Sequence, residues 1–214
     1  MPKQPKNDKQ EENNILILSS NSEDDNSRQQ NNSSCIEEDL EQEGIFLIDD
    51  VITNDSVRTT LLNLIQKNNI GWNREIQIFI NSPGGITADG WGLIDMMQIV
   101  SFPVRTIAIG RVNSMAALLV SAGDKGRRYI LENTEVMIHQ HSSYMEGQYN
   151  QLSANQNGQD QEYRRHINFW IKHSKFKTEK QIRENILKDT DNYLTPQDMK
   201  RFGMVDHIIK SKKK

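Results

Sequence analysis

Beyond residue 44 the chain alternates short apolar runs with longer stretches in which apolar residues recur every three or four positions. Ile45-Phe46-Leu47-Ile48 is a compact run of β-branched and aromatic residues and predicts a strand. Val57, Leu61, Leu64 and Ile65 then fall on one face of a helix that Asn54 is placed to cap. Glu75 to Ile80 alternates and predicts a second strand. Leu93, Met96, Met97 and Val100 repeat at helical spacing and mark a second helix. Pro103 to Gly110 predicts a third strand, and Ser114 to about Ala122 a third helix, built of small and apolar residues. Strand and helix thus take turns, which predicts an α/β fold of crossover units around a largely parallel sheet. In such folds ligands sit beyond the carboxyl ends of the strands. Both glycine-bearing turns of this chain, Pro83-Gly84-Gly85 and Gly110 to Ser114, fall there.

Farther on, residues 148–173 are polar and predict one long helix with few apolar positions, chiefly Tyr163, Ile167, Trp170 and Ile171. A helix so sparsely apolar is expected to project or to meet a partner subunit, with His166 and His173 solvated. Thr178 to Gln181 and Thr195-Pro196-Gln197-Asp198 read as capping boxes, the second with proline at the first helical position. Gly203 ends the last short helix, and Met204 to Ile209 predicts a closing strand containing His207.

The remaining segments differ in composition. Residues 1–43 are rich in Asn, Gln, Ser and acidic residues and bury too little apolar surface to offset ordering, so a disordered tail is expected. Ile15 to Leu18 is its one apolar patch, and residues 210–214 form a short basic tail. Residues 44–209 make a single domain, as a chain of 214 residues allows. A net charge of −3 gives no electrostatic reason to expect nucleic acid or an anionic membrane. No stretch approaches the roughly 18 apolar residues of a span, and the first residues lack an apolar leader. Cys35 is the only cysteine, so no disulfide forms within the chain, and a cytoplasmic location is expected.

Three places carry candidate chemistry. Ser114 follows a strand and a tight turn and opens a helix, where first-turn amides and the helix dipole favour an anion. An ordinary N-cap serine has the same spacing, and the Gly-x-Ser-x-Gly elbow is absent. Asn81-Ser82-Pro83-Gly84-Gly85 ends a strand with two glycines, which lets backbone N–H groups approach a ligand as in an oxyanion hole; a plain turn reads alike. Val136-Met137-Ile138-His139-Gln140 puts a histidine at the end of an apolar strand. His141 shares its face, so periodicity alone does not choose between the two.

Taken together these strings are specific. Phe79-Ile-Asn-Ser-Pro-Gly-Gly-Ile86, Gly110-Arg-Val-Asn-Ser-Met-Ala-Ala117 followed by Ala122-Gly123, and Val136 to Gln140 resemble the Clp protease proteolytic subunit, in that family's order. The interval 139 − 114 = 25 also matches, and the likeness continues through Asp191-Asn-Tyr-Leu-Thr195 and Gly203-Met-Val-Asp206. It covers roughly residues 44–209. The resemblance implies a fold of repeated strand–helix crossover units with a protruding handle helix, for which residues 148–173 stand. It implies Ser114 as nucleophile, His139 as general base and Asp191 as the acid that orients it, with Asp189 the nearest competitor. Backbone N–H groups of Gly85 and Met115 would form the oxyanion hole. No metal or cofactor is implied, ATP being used by a separate Clp-type AAA+ unfoldase. Unfolded proteins and peptides would be cut inside a double-ring homo-oligomer or mixed ring.

The sequence departs from the family in its acidic N-terminal segment, in His141 where a proline usually follows the His-Gln pair, and in a slightly longer handle. Rival readings on related folds are a signal-peptide peptidase, whose serine–lysine pair would not need His139, a prohead-type peptidase, and an acyl-CoA enzyme of the crotonase type, in which Ser114 would be no nucleophile. A non-enzymatic ring subunit is a third, and the presence of all three triad residues argues against it.

Overall fold

The structure, a computed structural model, describes residues 32–140 and 149–211. Five parallel strands form the spine of one sheet in the order β1 (Ile45–Ile48), β2 (Ile76–Ser82), β3 (Val104–Asn113), β4 (Arg128–Leu131) and β7 (His207–Ile209). A branch leaves the far end of β3, where β5 (Glu135–Ile138) pairs parallel to it and β6 (Asn192–Leu194) pairs antiparallel to β5. Helices α2 (Asn54–Asn69), α3 (Thr87–Ile99) and α4 (Met115–Ala122) make the successive crossovers. This is the predicted α/β architecture.

Burial explains why these segments hold. Ile76, Ile78 and Ile80 are fully enclosed, and Gln77 on the opposite face of β2 is also buried, as a strand covered on both sides requires. Every residue of α4 is buried, which its small apolar sequence permits. In α2 the inward residues are Val57, Thr60, Leu64 and Lys67, while Ile65 is exposed, so the buried stripe is rotated from the one the apolar spacing suggests. Lys67 reaches it by laying its stem along the protein and setting Nζ 4.0 Å from the centroid of the Trp72 ring. Thr53, not Asn54, is the N-cap of α2: its Oγ1 accepts from the Ser56 amide and the Ser56 hydroxyl accepts from the Thr53 amide. Thr195 and Asp198 close the predicted capping box on α7 (Pro196–Phe202), and Gly203 ends that helix in the left-handed region. Thr178 caps α6 (Glu179–Asn185), but the Gln181 side chain accepts from Lys177 rather than completing the box.

Three expectations are corrected. Helix α1 (Asn32–Gln42) lies within the segment 1–43 expected to be a disordered tail, and residues 1–31 lie outside the described residues. It is tied to the domain by Glu41 accepting from Asn63 and by the Glu43–Arg74 ion pair at 3.1 Å, which composition does not reveal. The long helix α5 (Tyr149–His173) forms as predicted, yet its C-terminal half packs into the core, with Ile167 and Phe169 buried and Trp170 wholly enclosed. Its exposed residues are densest between Asn155 and Gln161, and Arg164, Arg165, Asn168 and Lys172 are exposed on the outer face farther along. His166 and His173 are accordingly not solvated: His166 is buried, and His173 stacks on Phe169 with its Nδ1 3.0 Å from the Ser121 carbonyl oxygen. The basic tail 212–214 is outside the described residues.

Burial pushes the His173 imidazole down to about 4, aided by the nearby charges of Lys172 and Arg128 and opposed by the Ser121 carbonyl. In the unfolded chain the same ring takes up a proton below its ordinary 6.5. The unfolded state therefore binds more protons between those values, and stability is lost as pH falls from 6.5 towards 4. Urea midpoints at pH 7.5 and pH 5 are expected to show a loss of about 1–2 kcal/mol at the lower pH, allowing for solvent screening, and His173→Gln should flatten it. Asp206 does not interfere in that window. Burial raises its carboxyl, but the Arg128 hydrogen bonds and charge and the amides of Arg128 and Gly126 outweigh it and hold it below 3.8. Its contribution is lost only at lower pH still.

Candidate active site

The end of β3 sets the first component. Val112 and Asn113 pair with Val136 and Met137 of β5, so the two strands stop side by side with their carboxyl ends on the same edge. Ser114 comes next, and its amide donates to the Met137 carbonyl at 2.7 Å. His139 lies two residues beyond Met137. The adjacent strand ends therefore deliver serine and histidine to one place, and His139 Nε2 stands 2.8 Å from Ser114 Oγ. That is hydrogen-bond distance for a base facing a hydroxyl.

Ser114 is the only non-glycine residue with positive φ among those described, at φ 53° and ψ −121°. An L-residue is held there at a cost of about 1–3 kcal/mol. The strained turn lifts the side chain off the strand line and leads straight into α4, whose first residue is Met115. The Ser114 side chain caps nothing, so the ordinary N-cap reading fails. No i−4 partner exists for the Met115 amide at the start of a helix.

The glycine turn after β2 approaches from the other side. Ser82 Oγ donates to the Asp50 carbonyl and accepts from the Gly84 amide, fixing the turn's entry. Ile52 brackets its exit by donating to the Gly84 carbonyl at 2.8 Å and accepting from the Ile86 amide at 2.7 Å. Between those two bonds the Gly85 amide has no backbone partner among the described residues. Both positions demand glycine. A Cβ on Gly84, at φ 91°, would lie 2.6 Å from the Asn113 carbonyl oxygen and 2.8 Å from Ser114 Cβ. One on Gly85 would lie 2.3 Å from the Ile52 carbonyl oxygen. The missing side chains are what let this turn sit against the serine.

A cleft of about 500 Å³ opens here, lined by Pro83, Gly85, Ile86, Thr87, Leu118 and Met137 together with Ser114 and His139. A family model for Clp protease matches residues 27–212. The chain belongs to the Clp protease family. The Clp protease identity makes it a peptidase, and the five-strand spine with its branch and long helix α5 is the fold expected of that family. Oligomeric rings are the general assembly of this family.

The remaining residues singled out from the sequence sit as follows. Ladder β5–β6 places Val136 opposite Leu194, Met137 opposite Tyr193 and Ile138 opposite Asn192. His139 and Asp191 are the residues that directly follow and precede the last pair of this ladder, Ile138 and Asn192. The Asp191 carboxylate is exposed and has no hydrogen bond to His139, so serine and histidine are joined while the aspartate stands beside them unjoined. Asp189 turns elsewhere, towards Gln140 at 3.3 Å and Arg183 at 3.8 Å. His141 lies outside the described residues. Among the described residues no group of three or more His, Cys, Asp or Glu side chains is disposed to hold a metal ion, and no helix is long and apolar enough to cross a membrane.

Two contributors to the site carry no such role in the sequence. Ile52, which clamps the glycine turn through its backbone, leaves no side-chain signature of that role. His166 lines the same cleft from α5, and its spacing of four from Glu162 was the only available signal.

Proposed function

We propose that this Clp protease family member is a serine endopeptidase, acting on unfolded proteins and peptides. The observation that carries the reading is the 2.8 Å contact between His139 Nε2 and the strained Ser114 hydroxyl, beside the glycine turn. In the proposed reaction His139 Nε2 takes the Ser114 proton as Oγ adds to a peptide carbonyl. The amides of Gly85 and Met115 stabilise the oxyanion. His139 then protonates the departing amine, and water, activated by the same imidazole, frees the acyl group from Ser114. Asp191 orients the imidazole once its side chain rotates onto His139, a step substrate binding or assembly would favour. None of these steps calls for a metal or cofactor.

The assembly proposed is a double ring, homomeric or mixed, enclosing the sites. Large apolar side chains remain exposed on α1, β1 and α2, among them Ile36, Leu47, Leu62 and Ile65, as surface a neighbouring subunit would cover. The exposed early turns of α5 suit the handle role. A Clp-type AAA+ ATPase is the proposed partner for folded substrates, with ATP hydrolysed there, in the cytoplasm; nucleic acid and membrane have no part in the proposal.

A paired assay tests this. The assembled protein alone should hydrolyse short fluorogenic peptides and an unfolded casein-type substrate, and should spare a stably folded protein of similar size. Cleavage of the folded protein at the same rate would remove the enclosed-chamber part of the proposal. Absence of hydrolysis of either unfolded substrate would remove the peptidase mechanism.

A further inference from the structure

Helix α6 stops at Asn185, and the carbonyls at and just past its end have no helical partner. Two carboxamides reach them. Asn192 Nδ2 donates to the Asn185 carbonyl at 2.9 Å and to that of Ile186 at 3.0 Å. Gln140 Nε2 donates to the Lys188 carbonyl at 3.2 Å and to that of Leu187 at 3.3 Å, and stands 3.3 Å from Asp189 Oδ1. The consecutive carbonyls 185 to 188 are thus all taken up by two side chains. Their places in the chain make this more than a helix cap. Asn192 directly follows Asp191, and Gln140 directly follows His139.

The β5–β6 ladder ends at the pair Ile138 and Asn192, so the chain leaves it at His139 on one side and enters it from Asp191 on the other. Asn192, 5% exposed, anchors the Asp191 side on the end of α6. Gln140 anchors the His139 side on the same helix end, across 47 residues of sequence. We propose that Gln140 is a positioning residue for the reaction, holding the main chain at His139 and the segment leading into Asp191 in one frame. With that frame fixed, rotation of the Asp191 side chain is the one movement needed to orient the imidazole. A reacting group displaced by about 1 Å loses roughly 100-fold in rate, which is what such a hold prevents. Gln140 is not among the residues lining the cleft, so it acts through its neighbours and not on the substrate. The inference rests on the serine-peptidase reading with Asp191 as the orienting acid, and adds the residue that keeps base and acid in register.

The test is a double-variant cycle on the assembled full-length protein, read as kcat on a fluorogenic peptide and as the rate at which a fluorophosphonate labels Ser114. Gln140→Met keeps the length of the side chain and removes its donors. In the wild-type background it should lower kcat about 10–100-fold and leave KM nearly unchanged. Asp191→Asn has already lost the acid to be positioned, and with it about 10⁴-fold in rate. There the same change should cost less than about threefold in either readout. A purely structural role lowers both backgrounds by the same factor, so equal losses overturn the inference. An unchanged kcat in Gln140→Met overturns it too, as does an Asp191→Asn variant as active as wild type. Should Gln140→Met fail to assemble, Gln140→Ala takes its place in the cycle with the same expected pattern. A wild type that neither cleaves the peptide nor takes the label sinks the peptidase reading and the inference with it.

Discussion

Ser114→Ala is expected to reduce peptide hydrolysis by about 10⁴–10⁶-fold while leaving KM nearly unchanged. The hydroxyl is the only atom removed, and the cleft that binds the peptide is otherwise intact. His139→Ala should cost about the same, because a serine without its base is a poor nucleophile at neutral pH. The double variant should lose no more than either single one, since the pair acts as a unit. Steady-state rates on one fluorogenic peptide measure all three. Stability adds a second reading of the same residue. Because Ser114 sits at φ 53° and ψ −121°, where glycine is comfortable, Ser114→Gly should unfold at higher denaturant than Ser114→Ala, by about 1 kcal/mol, though equally inactive. A gain in stability with a loss of catalysis would show that the turn's strain is retained to aim the hydroxyl.

Gly84→Ala should strongly reduce activity. Its Cβ would meet the Asn113 carbonyl and Ser114 Cβ, both anchored, the latter through the Ser114 amide bond to Met137. Neither can yield without moving the serine away from His139, and a displacement of about 1 Å costs roughly 100-fold in rate. Gly71→Ala is the matched control. It carries similar backbone strain at φ 73° but has no atom within 4 Å of the new methyl. It should cost about 1 kcal/mol of stability and no activity. Equal activity losses in the two variants would mean that backbone strain, not the contact with Ser114, governs the effect.

Much of this was legible before any coordinates. Ile45 to Ile48, the Glu75–Ile80 alternation and the capping box at Thr195 each carry a local signal strong enough to fix an element. The rest depended on partners far away in sequence. Strand β4 opens with an arginine, which is buried only because Asp206 receives it at 2.7 Å from the edge of the sheet. Strand β6 has three residues and exists by pairing with β5. The burial of α5 follows from Trp170 and Phe169 finding the core, which a count of apolar residues along a polar helix undervalues. At the site, the motif strings named Ser114, His139 and the glycine turn. The register of the β2–β3 and β3–β5 ladders explains why they meet, and the clamp by Ile52 and the intrusion of His166 emerge only in three dimensions.

The most direct test of the central claim is intact-mass analysis of the assembled protein after treatment with a serine-directed fluorophosphonate, alongside Ser114→Ala and His139→Ala. The account predicts one adduct per wild-type chain, mapped to Ser114, and none on either variant in the same time. A folded, assembled wild type that takes up no label, or labels as fast without His139 as with it, would contradict a histidine-activated Ser114.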